Sequence, residues 1–140
     1  MIRVDPSRAL MDVKKRVSKK EKEVNKALKV SALQMASHIK ESLTSHKSKG
    51  RTYIRRSVTH TASAPGYPPN SDIGFLASSV TASRRVRNFT TEVIIGARYA
   101  KALEYGVLRR GLKPRPFVKP ARQALGSKIA KRIRKAMNAS

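Results

Sequence analysis

The apolar residues Leu10, Val13, Val17, Val24, Leu28, Met35, Ile39 and Leu43 recur at spacings of three, four or seven, with lysine and glutamate filling much of the space between them. That period puts them on one face of an α-helix and fits no strand. Asp5 followed by Pro6 supplies a start, because aspartate caps free amides and proline at the first helical position gives up only an N–H that has no partner there. The helix is expected to end near "SHKSKG", with Gly50 as its C-cap. About 39 residues at roughly 1.5 Å each make a rod about 58 Å long. A compact domain of this size has a radius of gyration of about 14 Å and is about 37 Å across. The rod therefore kinks and packs within its own subunit, or it overhangs and a neighbour completes its apolar stripe.

The rest of the chain limits what lies beneath such a rod. At 140 residues it is expected to form a single domain, 1–140, with one modest core. No run of about 18 apolar residues marks a membrane span, and Arg3, Asp5 and Arg8 interrupt any signal-peptide pattern, so assembly in the cytoplasm is expected. With no cysteine there is neither a disulfide framework nor a thiolate metal site. Against 8 acidic residues stand 32 Lys and Arg, a net charge of +24, and from Arg109 onward there are eleven basic residues and no acidic one. Such a surface repels its own copies at low salt and attracts nucleic acid, anionic membrane or acidic protein.

After the helical segment, 1–50, the character changes. "RTYIRRSVTH" (51–60) is rich in β-branched and aromatic residues with partial alternation, which predicts a strand or hairpin arm. "ASAPGYPPNSDIG" (62–74), with three prolines and two glycines, is a loop. "FLASSVTASRRV" and "FTTEVIIGA" follow as two strands of a hairpin separated by "RN", so residues 51–98 should form a small, mainly antiparallel sheet. Over 99–140 the helical period returns. Tyr99, Ala102, Leu103 and Val107 predict a short helix through "RYAKALEYG", closed by Gly106. "KPRPFVKPA" (113–121) sets three prolines around one phenylalanine and must be stiff and non-helical. Pro120 is then placed to open a last helix with Ala121, Ala124, Leu125, Ile129, Ile133 and Met137 as its apolar stripe. The fold class is α+β: a long N-terminal helix, a small sheet with a proline-rich loop, a short helix, and a C-terminal helix packed on the sheet.

Sites for chemistry are missing from this pattern. His38, His46 and His60 stand in no metal-ligand spacing, and the eight acids are scattered, mostly on the first helix where i,i+4 pairing with lysine accounts for them. GxGxxG, Walker-type and GxSxG motifs do not occur. The chain is not expected to be an enzyme or to carry a cofactor or metal. "RRVR" (84–87), "RRGLK" (109–113) and "KRIRK" (131–135) offer electrostatic attraction to phosphates or acidic protein, without the aromatic platforms of RNA-binding modules.

Three blocks in order do resemble a family. "APGYPPNSDIGFLASSV", then "IIGARYAKALEYG", then "KPRPFVKPA" are similar to the head-tail joining proteins of long-tailed bacteriophages, the neck, tail-completion and minor tail components. Pro65, Gly66, Pro68, Pro69, Asp72, Gly74 and Leu76 match the first block, and Tyr99, Ala100, Glu104, Tyr105 and Gly106 the second. Pro114, Arg115, Pro116, Phe117, Pro120 and Ala121 match the third. The resemblance covers residues 62–125. It departs from the pattern at Ile73, where a threonine is usual, and at Phe75, where a polar or basic residue is.

The resemblance implies a structural virion subunit that forms a hexameric ring around the DNA passage and joins the head connector to the tail. Its partners would be other copies and the neighbouring connector and tail proteins, with non-specific contact to packaged DNA, no membrane and no small-molecule substrate. Leu76, Asp72, Tyr99, Glu104, Tyr105, Arg115 and Phe117 are its candidate assembly residues. Arg84, Arg85, Arg87, Arg109, Arg110 and Lys113 are candidates for DNA or an acidic partner. A basic protein that binds nucleic acid as a monomer is the alternative.

Overall fold

A computed structural model describes residues 6–45, 48–70 and 74–139. Helix α1, Pro6–Ser45, runs unbroken through the whole periodic segment. Asp5, the expected cap, lies outside the described residues. Gly50 is not a C-cap: its N–H donates to the Ala62 carbonyl at 2.9 Å, and a Cβ there would sit 2.5 Å from that same oxygen. Glycine is needed at this point because two backbones approach closely, and no helix end is involved.

A hairpin follows, β1 Thr52–Arg55 against β2 Val58–Thr61, with Tyr53 opposite His60 and their rings 5.7 Å apart. Arg56 and Ser57 both adopt positive φ, the turn whose twist matches a two-residue hairpin. Residues 62–70 then leave the sheet. Asn70 Nδ2 donates to the Ser48 and Thr61 carbonyls, and Gly66 N–H donates to the carbonyl of Pro114.

The expected strand at 75–86 begins instead as a turn of helix, α2 Phe75–Ser78. Gly74 in the left-handed region opens it, Ser78 and Ser79 hydroxyls bond back to the Phe75 and Leu76 carbonyls, and Leu76 and Ala77 are buried. Strand character starts only at β3 Val80–Ala82, which pairs antiparallel with β4 Val93–Ile95. The tight turn of this second hairpin centres on Asn88 and Phe89 rather than on "RN", since both have positive φ and Arg87 pairs with Thr90. The sheet expected over 51–98 is thus two separate two-stranded sheets. The loop from Ser63 to Asn70 is held by other partners and cannot carry β2 to β3.

Helix α3, Ala100–Tyr105, a 3-10 turn at Leu108–Arg110 and helix α4, Val118–Asn138, complete the chain. Helix α4 lies antiparallel to α1. Lys20 Nζ reaches the Met137 carbonyl at 3.2 Å, Arg132 bonds Ser31 Oγ and Gln34 Oε1, and Ala121 meets Ala36 and Ile39 in the core. Small residues on α1 (Ala27, Ser31, Ala32, Ala36) let the helices approach closely.

The core gathers Ile39 and Leu43 of α1, Leu76 and Ala77 of α2, Val80 of β3, Ala97, Ala100 of α3, and Phe117 and Ala121 at the start of α4. All of it sits against the C-terminal half of α1. Residues 6–23 are exposed without exception, a length of about 27 Å, and Leu10, Met11, Val13 and Val17 are each more than half exposed. The helix does overhang. Truncating its two ends should therefore cost very different amounts. Ile39→Ala, at a site 1% exposed, is expected to lose about 2–5 kcal/mol by urea denaturation, and Leu10→Ala or Val13→Ala less than about 0.5 kcal/mol. Comparable losses at both ends would mean the overhanging half is packed in solution.

Candidate functional site

The three blocks singled out in the sequence meet at one junction. In α3 the buried residues are Ala100 and Glu104, one turn apart, with Leu103 half-buried beside them. Tyr99, expected on the inner face, precedes the helix and is exposed, its ring 6.3 Å from that of Phe75. The inner face is shifted by one residue because it is built around a carboxylate. Glu104 Oε2 accepts from the Phe117 and Val118 N–H groups at 2.8 and 3.0 Å, and Oε1 from the Lys119 N–H at 2.9 Å.

This accounts completely for the start of α4. A helix leaves its first four N–H groups without internal partners. Here three go to Glu104 and the fourth position is Pro120, which has no N–H. Pro120 lies inside the first turn, so the helix begins two residues earlier than its sequence implied. The carboxylate also faces the positive end of the helix dipole.

The approach to this cap is held just as firmly. Gly106 closes α3 at φ 74°, and a Cβ there would lie 2.7 Å from the Leu112 carbonyl oxygen and 2.9 Å from Pro114 Cδ. Val107 and Leu112 exchange both backbone hydrogen bonds across the 3-10 turn. Arg115 N–H donates to the Leu103 carbonyl at 2.7 Å, and Arg115 Nε donates to the carbonyl of Ser63 at 3.0 Å. The prolines at 114 and 116 thus stiffen a segment that is bonded at successive points to α3 and to the 62–70 loop.

The candidate assembly residues divide accordingly. Leu76, Glu104 and Phe117 are buried inside the subunit, where they shape it. Arg115 is half-buried and structural. Tyr99 and Tyr105 are exposed, and Asp72 lies outside the described residues. Arg84, Arg85 and Arg87 are exposed beside the turn of the second hairpin, and Arg109, Arg110 and Lys113 around the turn after α3. Residues that sequence reasoning passed over are as informative. Leu108 is 99% exposed at the tip of that turn, Ile54 and Val58 stand exposed on the first hairpin, and Phe89 projects from the second. Their signal was faint: an apolar residue in a short strand or turn segment gives no local sign of whether it faces the core or solvent.

Both Glu104 oxygens are committed to backbone donors, which makes it a positioning group. Among the described residues no cluster of three or more His, Cys, Asp or Glu could hold a metal ion, and no helix is long and apolar enough to cross a membrane. No family model matches the chain, and no curated protein or solved structure is significantly similar to it.

The junction should be intolerant of change. Glu104→Gln puts an amide N–H₂ against a backbone N–H and removes the charge that strengthens three hydrogen bonds, so a loss of about 2–4 kcal/mol in chemical denaturation is expected. Gly106→Ala should cost at least about 1–2 kcal/mol from the backbone alone, plus the clash with Leu112. Near-neutral results for both would show that the elbow is not held as described.

Proposed function

We propose that this chain is a non-catalytic virion subunit of the head-tail junction of a long-tailed bacteriophage, assembling as a ring around the DNA passage and joining head connector to tail. The observation that carries this reading is a body with two uncovered apolar projections, the overhanging half of α1 and the β1–β2 hairpin. A lone two-stranded hairpin is marginal in water, and its free edges are templates for pairing with another chain. Tyr53, Ile54 and Val58 are exposed on this one. Order on such an arm is most useful where another subunit sits against it.

The elbow supports the same reading. Ring closure requires every copy to present its contact surfaces at one angle. An error of about 5° at the base of an arm about 27 Å long moves its tip by about 2 Å, enough to misplace a side chain. The Glu104 cap and the proline segment fix α4, and through it the α1 arm, against the rest of the subunit. The motifs at 65–76, 99–106 and 114–121 converge on that elbow, so the resemblance to head-tail joining proteins falls on the residues that set the angle.

Light scattering and negative-stain imaging test the proposal. Purified protein, alone or mixed with its head connector and tail proteins, is expected to form closed rings. Ile54→Asp combined with Val58→Asp should abolish them without lowering the melting temperature by more than a few degrees. A chain that stays monomeric under all these conditions would sink the reading. The rival reading, a monomeric nucleic-acid binder, requires steeply salt-dependent DNA binding that falls when Arg84, Arg85 and Arg87 become alanine.

A further inference from the structure

A groove of about 560 Å³ runs between the middle of α1 and the end of α4, with a floor of Val17, Val24, Leu28, Ile133 and Met137. The ring of Phe89, from the tip of the second hairpin, forms one wall. Phe89 is in the left-handed region at φ 54°, as second central residue of a turn in which glycine is the unstrained choice. A bulky side chain there is uncommon. What the strained position achieves is an aromatic wall over an apolar channel. Beyond the end of α4 the same stripe continues along α1 through Val13 and Leu10, giving an exposed track of about 27 Å, the length of a helix of about five turns.

We infer that this groove is the docking site for an acidic amphipathic helix of another protein. Two antiparallel helices with an apolar seam open on one side are completed by a third helix. The sign of its charge follows from the rim. Residues 6–30 hold nine basic and three acidic side chains, and α4 holds seven basic and no acidic ones. Lys20, whose Nζ caps the Met137 carbonyl, sits in the groove wall, with Glu21 the one acid beside it. Neither α1 nor α4 of a second copy suits the site, since each brings a positive helix onto a positive rim. Nor does nucleic acid, whose phosphates gain nothing from a floor of valine, leucine, isoleucine and methionine. The inference gives the partner's chemistry in the assembly reading, and it rests on that reading only for where in the virion the partner sits.

The probe is a synthetic 18-residue helix with leucine along one face and glutamate elsewhere, labelled for fluorescence anisotropy and titrated with the full chain at about 150 mM salt. Two control peptides accompany it: one of the same composition with the leucine stripe scrambled, and one with lysine for every glutamate. The acidic helix should bind at least tenfold more tightly than either. Phe89→Gly should weaken that binding at least fivefold while leaving the melting temperature unchanged or raised, because it removes both the wall and the turn strain. Equal binding of the scrambled acidic peptide would reduce the effect to bulk charge and overturn the inference. Unchanged binding to Phe89→Gly would place the peptide elsewhere and overturn it too. Two further results would give the groove a different occupant: Phe89-dependent capture by phosphatidylglycerol vesicles with no peptide binding, or wild-type self-association that Phe89→Gly abolishes. Ring formation is scored separately by light scattering, so a failed peptide titration with intact rings removes this inference alone.

Discussion

The three hydrogen bonds that Glu104 accepts from the first turn of α4 are the interaction on which the architecture depends. A buried carboxylate is costly unless its charge is matched. Here the match comes from backbone donors and from the helix dipole, so no lysine or arginine need be drawn in from a surface crowded with them. The arrangement also settles where α4 begins, because a helix whose N–H groups at 117, 118 and 119 are taken and whose residue 120 is proline can start in one place only. One side chain from a six-residue helix thereby sets the direction of a 21-residue one.

From that direction follows the division of α1. Helix α4 covers α1 from about Lys20 to Ile39, α2 and the β3–β4 pair pack toward the C-terminal end, and the tip of the second hairpin, at Phe89, reaches back as far as Val17. Nothing in the subunit reaches the first turns. They remain helical without tertiary support because the sequence there is dense in good helix formers. Asp12 is also spaced i,i+4 from both Arg8 and Arg16, and Lys19 likewise from Glu23. As the extension of a segment already nucleated in the core, these turns add residue by residue to a helix whose costly first turn is formed elsewhere.

Legibility in the sequence follows the same split between local and non-local causes. The long helix, a strand or hairpin arm at 51–60 and the last helix from Pro120 onward were readable because period and turn chemistry are local. The first two residues of that last helix, Val118 and Lys119, fell in a segment expected to be non-helical. The overhang was readable as arithmetic, a length set against a diameter. Glu104 was visible as part of a block but its capping role was not, because a carboxylate in a tyrosine-alanine helix gives no local sign that it faces inward toward amides 13 to 15 residues away. Phe75–Ser78 was misread as strand for a similar reason: Phe75 favours a strand while Leu76 and Ala77 favour a helix, four residues are too few for a period to show, and burial of Leu76 and Ala77 in the core goes with the helical turn. Gly50 looked like a helix end because glycine after a polar run usually is one, whereas here it makes room for the carbonyl of Ala62.

Charge and apolar surface pull against each other in this molecule. Copies that each carry +24 repel whenever their surfaces lie within a Debye length, about 8 Å at physiological salt. Contacts between them must therefore be short-ranged and made where cations are sparse. The β1–β2 hairpin exposes Ile54 and Val58, but Arg55 and Arg56 sit at its turn and Arg55 pairs directly with Val58, so a like-subunit contact there has to satisfy those charges too. On the α1–α4 side, lysine and arginine flank the apolar floor on both helices. Both projections are therefore basic, and what distinguishes them is backbone: the hairpin offers free strand edges that another strand can pair with, and the helical groove offers an apolar floor that suits a partner of opposite charge. A ring bearing such grooves would hold its copies together through strands and present a basic, apolar-floored ledge to whatever stacks on it.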